Sequence, residues 1–389
     1  MARVDSPTME PSIREHDPAR THWAPYMEWA QSRPPARWDL AGSNLLHVEL
    51  EELEEAASTL VLHGRNTGGH PQLLEALAEH YATTSERIAA AAGASGANFI
   101  ALAALLRPGD EMLFETPGYD PILGAARLLG ARVRRFERRF EEGWSLDPER
   151  IEAALGPATR VLAITNPHNP TGTLASSEAL TAIADLAERR DLWVVVDEVY
   201  LDSSTFPGVF ADPAATPALG ALTVASRGGR FVATSSLTKS YGLSGLRCGW
   251  AIADPEIVAA MRRARGVIDA VAPMPTDALS TVALGRLATL TRRAAELLAP
   301  NLRALGELID ASSVLEWARP RGGTVAFPRV AGVADTASLC HRLLEEGDLA
   351  LVPGVLFGAS RHVRISFGGL RPDAFASALE TLSRLLLAG

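Results

Sequence analysis

Among the 37 residues that are Lys or Arg, one is a lysine: Lys239, in Ser235-Ser236-Leu237-Thr238-Lys239-Ser240-Tyr241-Gly242. The other 36 (37 − 1) are arginines. A chain that uses arginine everywhere else has kept one primary side-chain amine. A guanidinium stays charged and cannot replace an amine that must lose its proton. The main chemistry needing such an amine is a carbon–nitrogen double bond with a carbonyl, as in Schiff-base enzymes. The plain alternative is drift from Lys to Arg that left one survivor by chance, so the neighbouring residues must decide.

Schiff-base chemistry on an amino acid needs an electron sink. Pyridoxal 5'-phosphate supplies one if the protein holds its phosphate, ring and ring nitrogen. For the phosphate, Ala94-Ser95-Gly96 opens a helix and its small residues permit close approach. Ser236 lies three residues before the lysine and Arg247 eight after it. For the ring nitrogen, Asp197 ends an apolar run, and an acid there would keep the nitrogen protonated. Tyr200 and Asn169 are candidates for the ring's phenolic oxygen, and Tyr119, after Pro117-Gly118, for its face. Arg364, inside the apolar stretch Val363 to Phe367, can grip a carboxylate with two parallel hydrogen bonds. Each has a bland counterpart: a helix cap, a turn aspartate, a proline-stiffened loop, a core aromatic, an arginine on a solvent face.

The elements between these residues must bring them together. From about residue 90, apolar strands alternate with amphipathic helices. Strands are expected at 111–115, 132–136, 160–165, 192–196, 231–235 and 249–253. Helices are expected at 97–106, 122–130, 147–155 and 176–189. Buried strands between helices mean a mostly parallel sheet with helices on both faces. Binding sites in such sheets lie beyond the strands' C-terminal ends, and the polar clusters of this region, such as 116–119, 166–172 and 197–200, fall at such an end or in the loop after it. Earlier, residues 1–36 carry Pro at 7, 11, 18, 25, 34 and 35 and read as a loose arm with a short helix near 26–31. Helices are expected at 48–62 and 71–81, flanking a Gly- and Asn-rich loop at 63–70. Residues 255–309 read as helical, broken at Pro273 and Pro275. Beyond 313 the pattern is α+β, with strands at 323–327, 350–352 and 362–367 and helices at 336–346 and 372–387.

Composition narrows the class. With 47% hydrophobic and 21% charged residues, the chain reads as a soluble globular enzyme. Its net charge of −9 argues against nonspecific nucleic-acid binding. No apolar run reaches membrane-spanning length, and the polar first 20 residues resemble neither signal peptide nor anchor. Two cysteines, Cys248 and Cys340, provide neither a disulfide framework nor a metal cluster, so a cytoplasmic location is expected.

Four motifs, in order, carry a family resemblance: Asn166-Pro-His-Asn-Pro-Thr-Gly172, Asp197-Glu-Val-Tyr200, Ser236-Leu-Thr-Lys239 with Gly245-Leu-Arg247, and Val363-Arg364-Ile-Ser366. The chain resembles the fold-type I pyridoxal-phosphate enzymes, specifically the class I/II aminotransferases, over roughly residues 40–385. The resemblance implies an α/β fold: a large domain with a mostly parallel seven-stranded sheet between helices, plus a smaller α+β domain from the N- and C-terminal segments. The corresponding boundaries are 1–45 for the arm and part of the small domain, 46–290 for the large domain and 291–389 for the rest. It also implies a Schiff base at Lys239, Asp197 on the pyridine nitrogen, Asn169 and Tyr200 on the phenolic oxygen and Tyr119 stacked on the ring. Ala94, Ser95, Gly96, Ser236 and Arg247 would hold the phosphate; Arg364, Gly42 and Asn169 would bind the substrate. The implied partners are an amino acid and a 2-oxo acid, and the implied assembly is a homodimer with active sites at the interface.

The chain departs from the family in two ways. The tyrosine that often reaches the partner subunit's phosphate is missing, with His63 and Arg65 as nearest counterparts, and no second arginine stands out for a side-chain carboxylate. His168 reads as structural. Elimination, cyclisation, decarboxylation or oxidation on the same fold is the nearest rival reading, because the cofactor motifs are common to all. The effector-binding domain of a transcription regulator is a more distant rival, disfavoured by the short arm and acidic charge.

Overall fold

The computed structural model describes residues 24–53, 58, 60, 62–64, 66 and 68–387. The expected arm falls outside the described residues up to 23. From there the chain forms α1 (Pro25–Ser32), with proline at the first position, where its missing N–H has no intrahelical use. The two-residue strand β1 (Trp38–Asp39) follows.

The helix expected over 48–62 does not form in the described residues. Leu50–Leu53 is a single 3-10 turn, Leu60 and Leu62 are irregular, and 54–57, 59 and 61 lie outside the described set. Leu50, Leu60 and Leu62 are exposed. Of its leucines Leu53 alone reaches the core, and an acid-rich stretch with so narrow a buried face lacks the packing that stabilises short helices. The helix α2 (Pro71–His80) forms as expected.

The central sheet has one strand the sequence reading did not anticipate, β2 (Ile88–Ala92). Alanine has little strand preference, but this run is held by pairing with a strand far along the chain. It feeds α3 (Gly93–Leu105), which starts four residues before the expected Ala97 and so takes Ala94, Ser95 and Gly96 into its first turn. Then come β3 (Glu111–Thr116), α4 (Asp120–Leu128), β4 (Arg132–Glu137), α5 (Pro148–Ala154), β5 (Thr159–Thr165), α6 (Ser177–Arg190), β6 (Trp193–Asp197), α7 (Leu219–Leu222), β7 (Phe231–Ser236), α8 (Thr238–Tyr241) and β8 (Cys248–Ile252). The seven-stranded sheet runs β2-β8-β7-β6-β5-β3-β4. Only β8 is antiparallel to its neighbours.

Alternation sorts the core onto two faces. Val194 and Val196 pack with Leu162, Ile164 and Ala233, while Val195 packs with Val161, Ala163 and Val232 against α3 and α4. The edge strand β4 is arginine-rich and mostly exposed, which blunts an open edge.

Residues 255–309 form three helices, α9 (Pro255–Ile268), α10 (Met274–Leu284) and α11 (Leu287–Asp310). The expected break at Pro273 is present, and a second falls at 285–286. Short strands and two helices complete the chain: β9 (Leu315–Glu316), β10 (Val325–Ala326), β11 (Arg329–Val330), α12 (Ala337–Gly347), β12 (Leu349–Ala350), β13 (Val352–Pro353), β14 (Val363–Ser366) and α13 (Pro372–Leu387). The single strand expected at 350–352 is thus two. N-terminal β1 pairs in parallel with β12, tying the start of the chain to its last third. No helix among the described residues is long and apolar enough to cross a membrane.

Candidate active site

Parallel strands deliver their C-terminal ends to one edge of the sheet. There β3 leads to Tyr119, β5 to Asn169, β6 ends in Asp197, and β7 ends in Ser236 just before Lys239. The described geometry brings the candidate residues into one cleft.

Lys239 sits in the single turn of α8, partly screened from solvent. Its Nζ donates to Ser43 Oγ at 2.8 Å and Asn44 Oδ1 at 2.6 Å. Burial first, then the Arg364 guanidinium, push its amine down to about 7; Asp197 opposes this and Arg247 adds to it. One amine therefore senses three of the predicted site residues at once. An ordinary lysine is fully protonated at pH 7; this one is poised between its two forms.

Asp197 is buried, with one oxygen accepting from Asn98 Nδ2 at 2.7 Å and the other from the Val199 amide at 3.1 Å. Asn98 in turn accepts from the Thr234 hydroxyl at 2.6 Å. Burial raises the Asp197 carboxyl, while the Asn98 and Val199 bonds and Lys239 pull it back. Tyr200 is buried by the same strand end, and burial pushes its phenol up to about 12, against Arg364 and a hydrogen bond with the Ser43 side chain. Tyr119 opens α4; burial raises its phenol, and Tyr26, Asp197 and Tyr200 add to the rise.

The anion end is built differently. At α3 the first N–H groups lack intrahelical partners and point out of the helix start, and Ser95 is exposed there. Gly93 adopts φ +72°, and a side chain on it would overlap the Arg247 guanidinium. Gly249 of β8 packs so close to Gly93 that a Cβ would overlap its backbone. Two glycines thus let a strand, a helix start and an arginine converge. Ser236 is buried next to them, its Oγ accepting from the Thr238 amide, and the buried Thr238 hydroxyl has no partner.

At the other end, Arg364 of β14 is fully buried. It donates to Asn169 Oδ1 at 3.3 Å, the Ala41 carbonyl at 3.0 Å and the Tyr26 hydroxyl at 2.6 Å. Gly42 follows Ala41, and a Cβ there would meet open space. His168, inside the Asn-Pro motif, is wholly buried, its Nε2 donating to the Pro117 carbonyl and its Nδ1 2.8 Å from Thr171 Oγ1. That is the environment of a structural residue. His63 is exposed, and Arg65 lies outside the described residues.

These residues fit pyridoxal phosphate. A helix start with serine and arginine suits a dianion, a buried carboxylate suits a ring nitrogen, and a partly deprotonated amine suits an aldehyde. Sequence reasoning missed the supports: Ser43 and Asn44 on the amine, Asn98 and Thr234 on Asp197, and Tyr26 on Arg364. Asn98 left a readable trace, being an amide in an otherwise apolar helix.

Comparison with known proteins agrees. The family described as aminotransferase class I and II matches residues 27–382. An aspartate/prephenate aminotransferase of Thermus thermophilus is 31% identical over 359 residues, covering 86% of this chain and 87% of that protein. A pyridoxal-phosphate-dependent aminotransferase from Streptococcus suis superposes with a TM-score of 0.83 at 26% identity, over 93% of this chain and 97% of that one. The pyridoxal-phosphate-dependent cyclase OrfR superposes with a TM-score of 0.80 at 26% identity, over 98% of this chain and 100% of that one.

Proposed function

The chain belongs to the class I and II aminotransferases, and from that membership we propose that Lys239 is the residue that attaches the cofactor and moves the proton. The protein is a pyridoxal-phosphate-dependent aminotransferase acting on small-molecule substrates, an amino acid and a 2-oxo acid. Bound pyridoxal phosphate supplies an electron sink for negative charge at the amino acid's α-carbon. The observation that carries the proposal is the state of Lys239: the sole lysine, its amine lowered to about 7 and held by Ser43 and Asn44. An amine near neutrality can be both acceptor and donor of a proton at working pH.

The other assignments belong to the same proposal. Asp197, steadied by Asn98, keeps a negative charge for the ring nitrogen. Asn169 and Tyr200 serve the phenolic oxygen, and Tyr119 the ring face. Ala94, Ser95, Gly96, Ser236 and Arg247 hold the phosphate. Arg364 takes the α-carboxylate, with Gly42 leaving room beside it and Asn169 orienting it. The large domain over 46–290 carries the cofactor, and the terminal segments form the smaller one. The working form is a homodimer, and exposed Val267, Ile268 and Val271 are apolar surface a partner would cover. We place the enzyme in the cytoplasm.

A direct test is borohydride reduction of the holoenzyme followed by peptide mapping. The cofactor's mass should appear on the peptide holding Lys239; its absence there defeats the assignment. A second reading is favoured by the likeness to OrfR, which is described as a cyclase. The same lysine and carboxylate grip would then serve another fate of the α-carbon. Incubation with single amino acids separates the two. Formation of a 2-oxo acid supports transfer, and a cyclic or ammonia-releasing product supports the alternative.

A further inference from the structure

The inference concerns Tyr26 and rests on the assignment of Arg364 to the substrate α-carboxylate. A guanidinium has five N–H groups. Only two of its edges present a parallel pair for a carboxylate, Nε with Nη2 and Nη1 with Nη2; the third is blocked by Cδ. Both usable edges need an Nη2 proton.

In Arg364 those two protons are engaged. Nη2 donates to the Tyr26 hydroxyl at 2.6 Å and to the Ala41 carbonyl at 3.0 Å. Nη1 gives one proton to Asn169, and buried Nε has no partner. A two-pronged carboxylate must therefore take the place of Tyr26 or of Ala41. Ala41 is main chain directly after β1, its amide held by Asp39 Oδ1 at 3.0 Å, and Leu40 is bonded to the Ala350 carbonyl. Moving it means dismantling the β1–β12 pairing. Tyr26 is a side chain on a short helix. Its attachments are its own amide to Asp120 Oδ2 at 2.9 Å and ring contacts with Tyr119, Phe357 and Trp29, the last on its own helix.

We propose that Tyr26 is a gating residue for the substrate carboxylate: its hydroxyl occupies the position of one carboxylate oxygen on Arg364 Nη2, and substrate binding exchanges the two. Between turnovers the tyrosine keeps the buried guanidinium hydrogen-bonded and aligned, with the Tyr26 and Phe357 rings 4.8 and 4.9 Å from its central carbon. During binding the hydroxyl must let go, and the first turn of α1 loosens with it. The exchange lowers affinity by the worth of one hydrogen bond.

The test uses the holoenzyme and 2-methylalanine, a probe with an α-carboxylate and amine but no α-hydrogen. Tyr26→Phe removes only the hydroxyl and keeps the ring. Calorimetry should show the variant binding the probe about three- to tenfold more tightly, the range of one net hydrogen bond. Equal or weaker binding overturns the gate. In wild type, amide exchange in the first turn of α1 should quicken when the probe is added; slower or unchanged exchange also overturns it. Arg364→Lys separates this from the underlying assignment. If Arg364→Lys binds the probe as wild type does, the carboxylate reading of Arg364 fails. If it loses binding while Tyr26→Phe gains none, only the gate fails.

Discussion

Charge is buried at two places in this molecule, with opposite arrangements. Behind the Tyr119 loop, Glu115 and Arg138 form an ion pair at 2.8 Å with almost no exposure. Glu115 also accepts from the amide and hydroxyl of Thr165, both at 2.7 Å, and Arg138 donates to the Trp144 carbonyl. His168 lies 3.8 Å from Glu115 and is held neutral, since burial and then Arg138 push its pKa well below the usual range. Each charge there faces its opposite. In the cleft, Lys239 shares its surroundings with Arg364 and Arg247, with Asp197 as the opposing charge. Burial that serves the fold cancels charge. Burial that serves the chemistry leaves like charges together, and desolvation first, then those charges, bring the Lys239 amine down to about 7.

The comparison breaks most visibly at the lysine. Lys239→Arg keeps the charge and removes the proton-shedding amine, so single-turnover rates should fall about 10²–10⁴-fold, the range of a lost acid–base group. Circular dichroism should show the fold unchanged. Turnover within a fewfold of wild type would mean that Lys239 is only another cation. The structural pair should answer in stability instead. Arg138→Met leaves Glu115 buried without its opposite charge, which costs about 3–5 kcal/mol in a denaturant melt. The double change Glu115→Met with Arg138→Met should recover much of that loss, because removing both charges also removes their desolvation. A double variant no better than the single one would show that the pocket does more than cancel charge.

Legibility follows the same division. Lys239, Asp197, Asn169, Tyr200 and Arg364 were singled out in the sequence because the chemistry proposed for them restricts residue type at each position. Their supports could not, because any well-placed polar group suffices. Tyr26 meets Arg364 across 338 positions of sequence, and no local pattern encodes such a meeting. The strand at 88–92 was missed because four alanines carry almost no local strand preference; pairing with β8 decides it. The helix expected at 48–62 was read from acid content and leucine spacing, and in the described residues Leu53 packs into the core while Leu50, Leu60 and Leu62 stay exposed. Among the six strands from 111 onward, those at 160–165 and 192–196 were the most readable, because their Val-, Ile- and Leu-rich runs are what a doubly covered sheet requires.

A smaller loss should follow at the carboxylate grip. Arg364→Lys keeps a positive charge near Lys239 and removes the two-pronged fork. A drop in kcat/KM of about 10²-fold is expected from losing charge-assisted hydrogen bonds. The lowered Lys239 amine should change less than it would on outright removal of the guanidinium, as in Arg364→Met. A pH–rate profile that moves equally in both variants would contradict the like-charge account.

The smallest effect is the sharpest test, because it measures the cleft's burden on the fold itself. Lys239 has a folded-state pKa of about 7 against 10.5 for a free lysine. Between those values the unfolded chain binds a proton that the folded chain does not. Stability therefore rises with pH across that window. Below about pH 7 the folded chain must carry a buried ammonium among cations, and the full penalty applies; above 10.5 the penalty is gone. In the protein stripped of cofactor, Lys239→Met removes the titrating group while keeping an apolar chain of similar length. At pH 7 the variant should melt higher than wild type, on the order of a few degrees. That advantage should shrink as pH rises toward 10 and vanish beyond it. The opposite slope, with the advantage growing with pH, would mean that Asp197 outweighs burial and the two arginines together and that the cleft stabilises the charged amine.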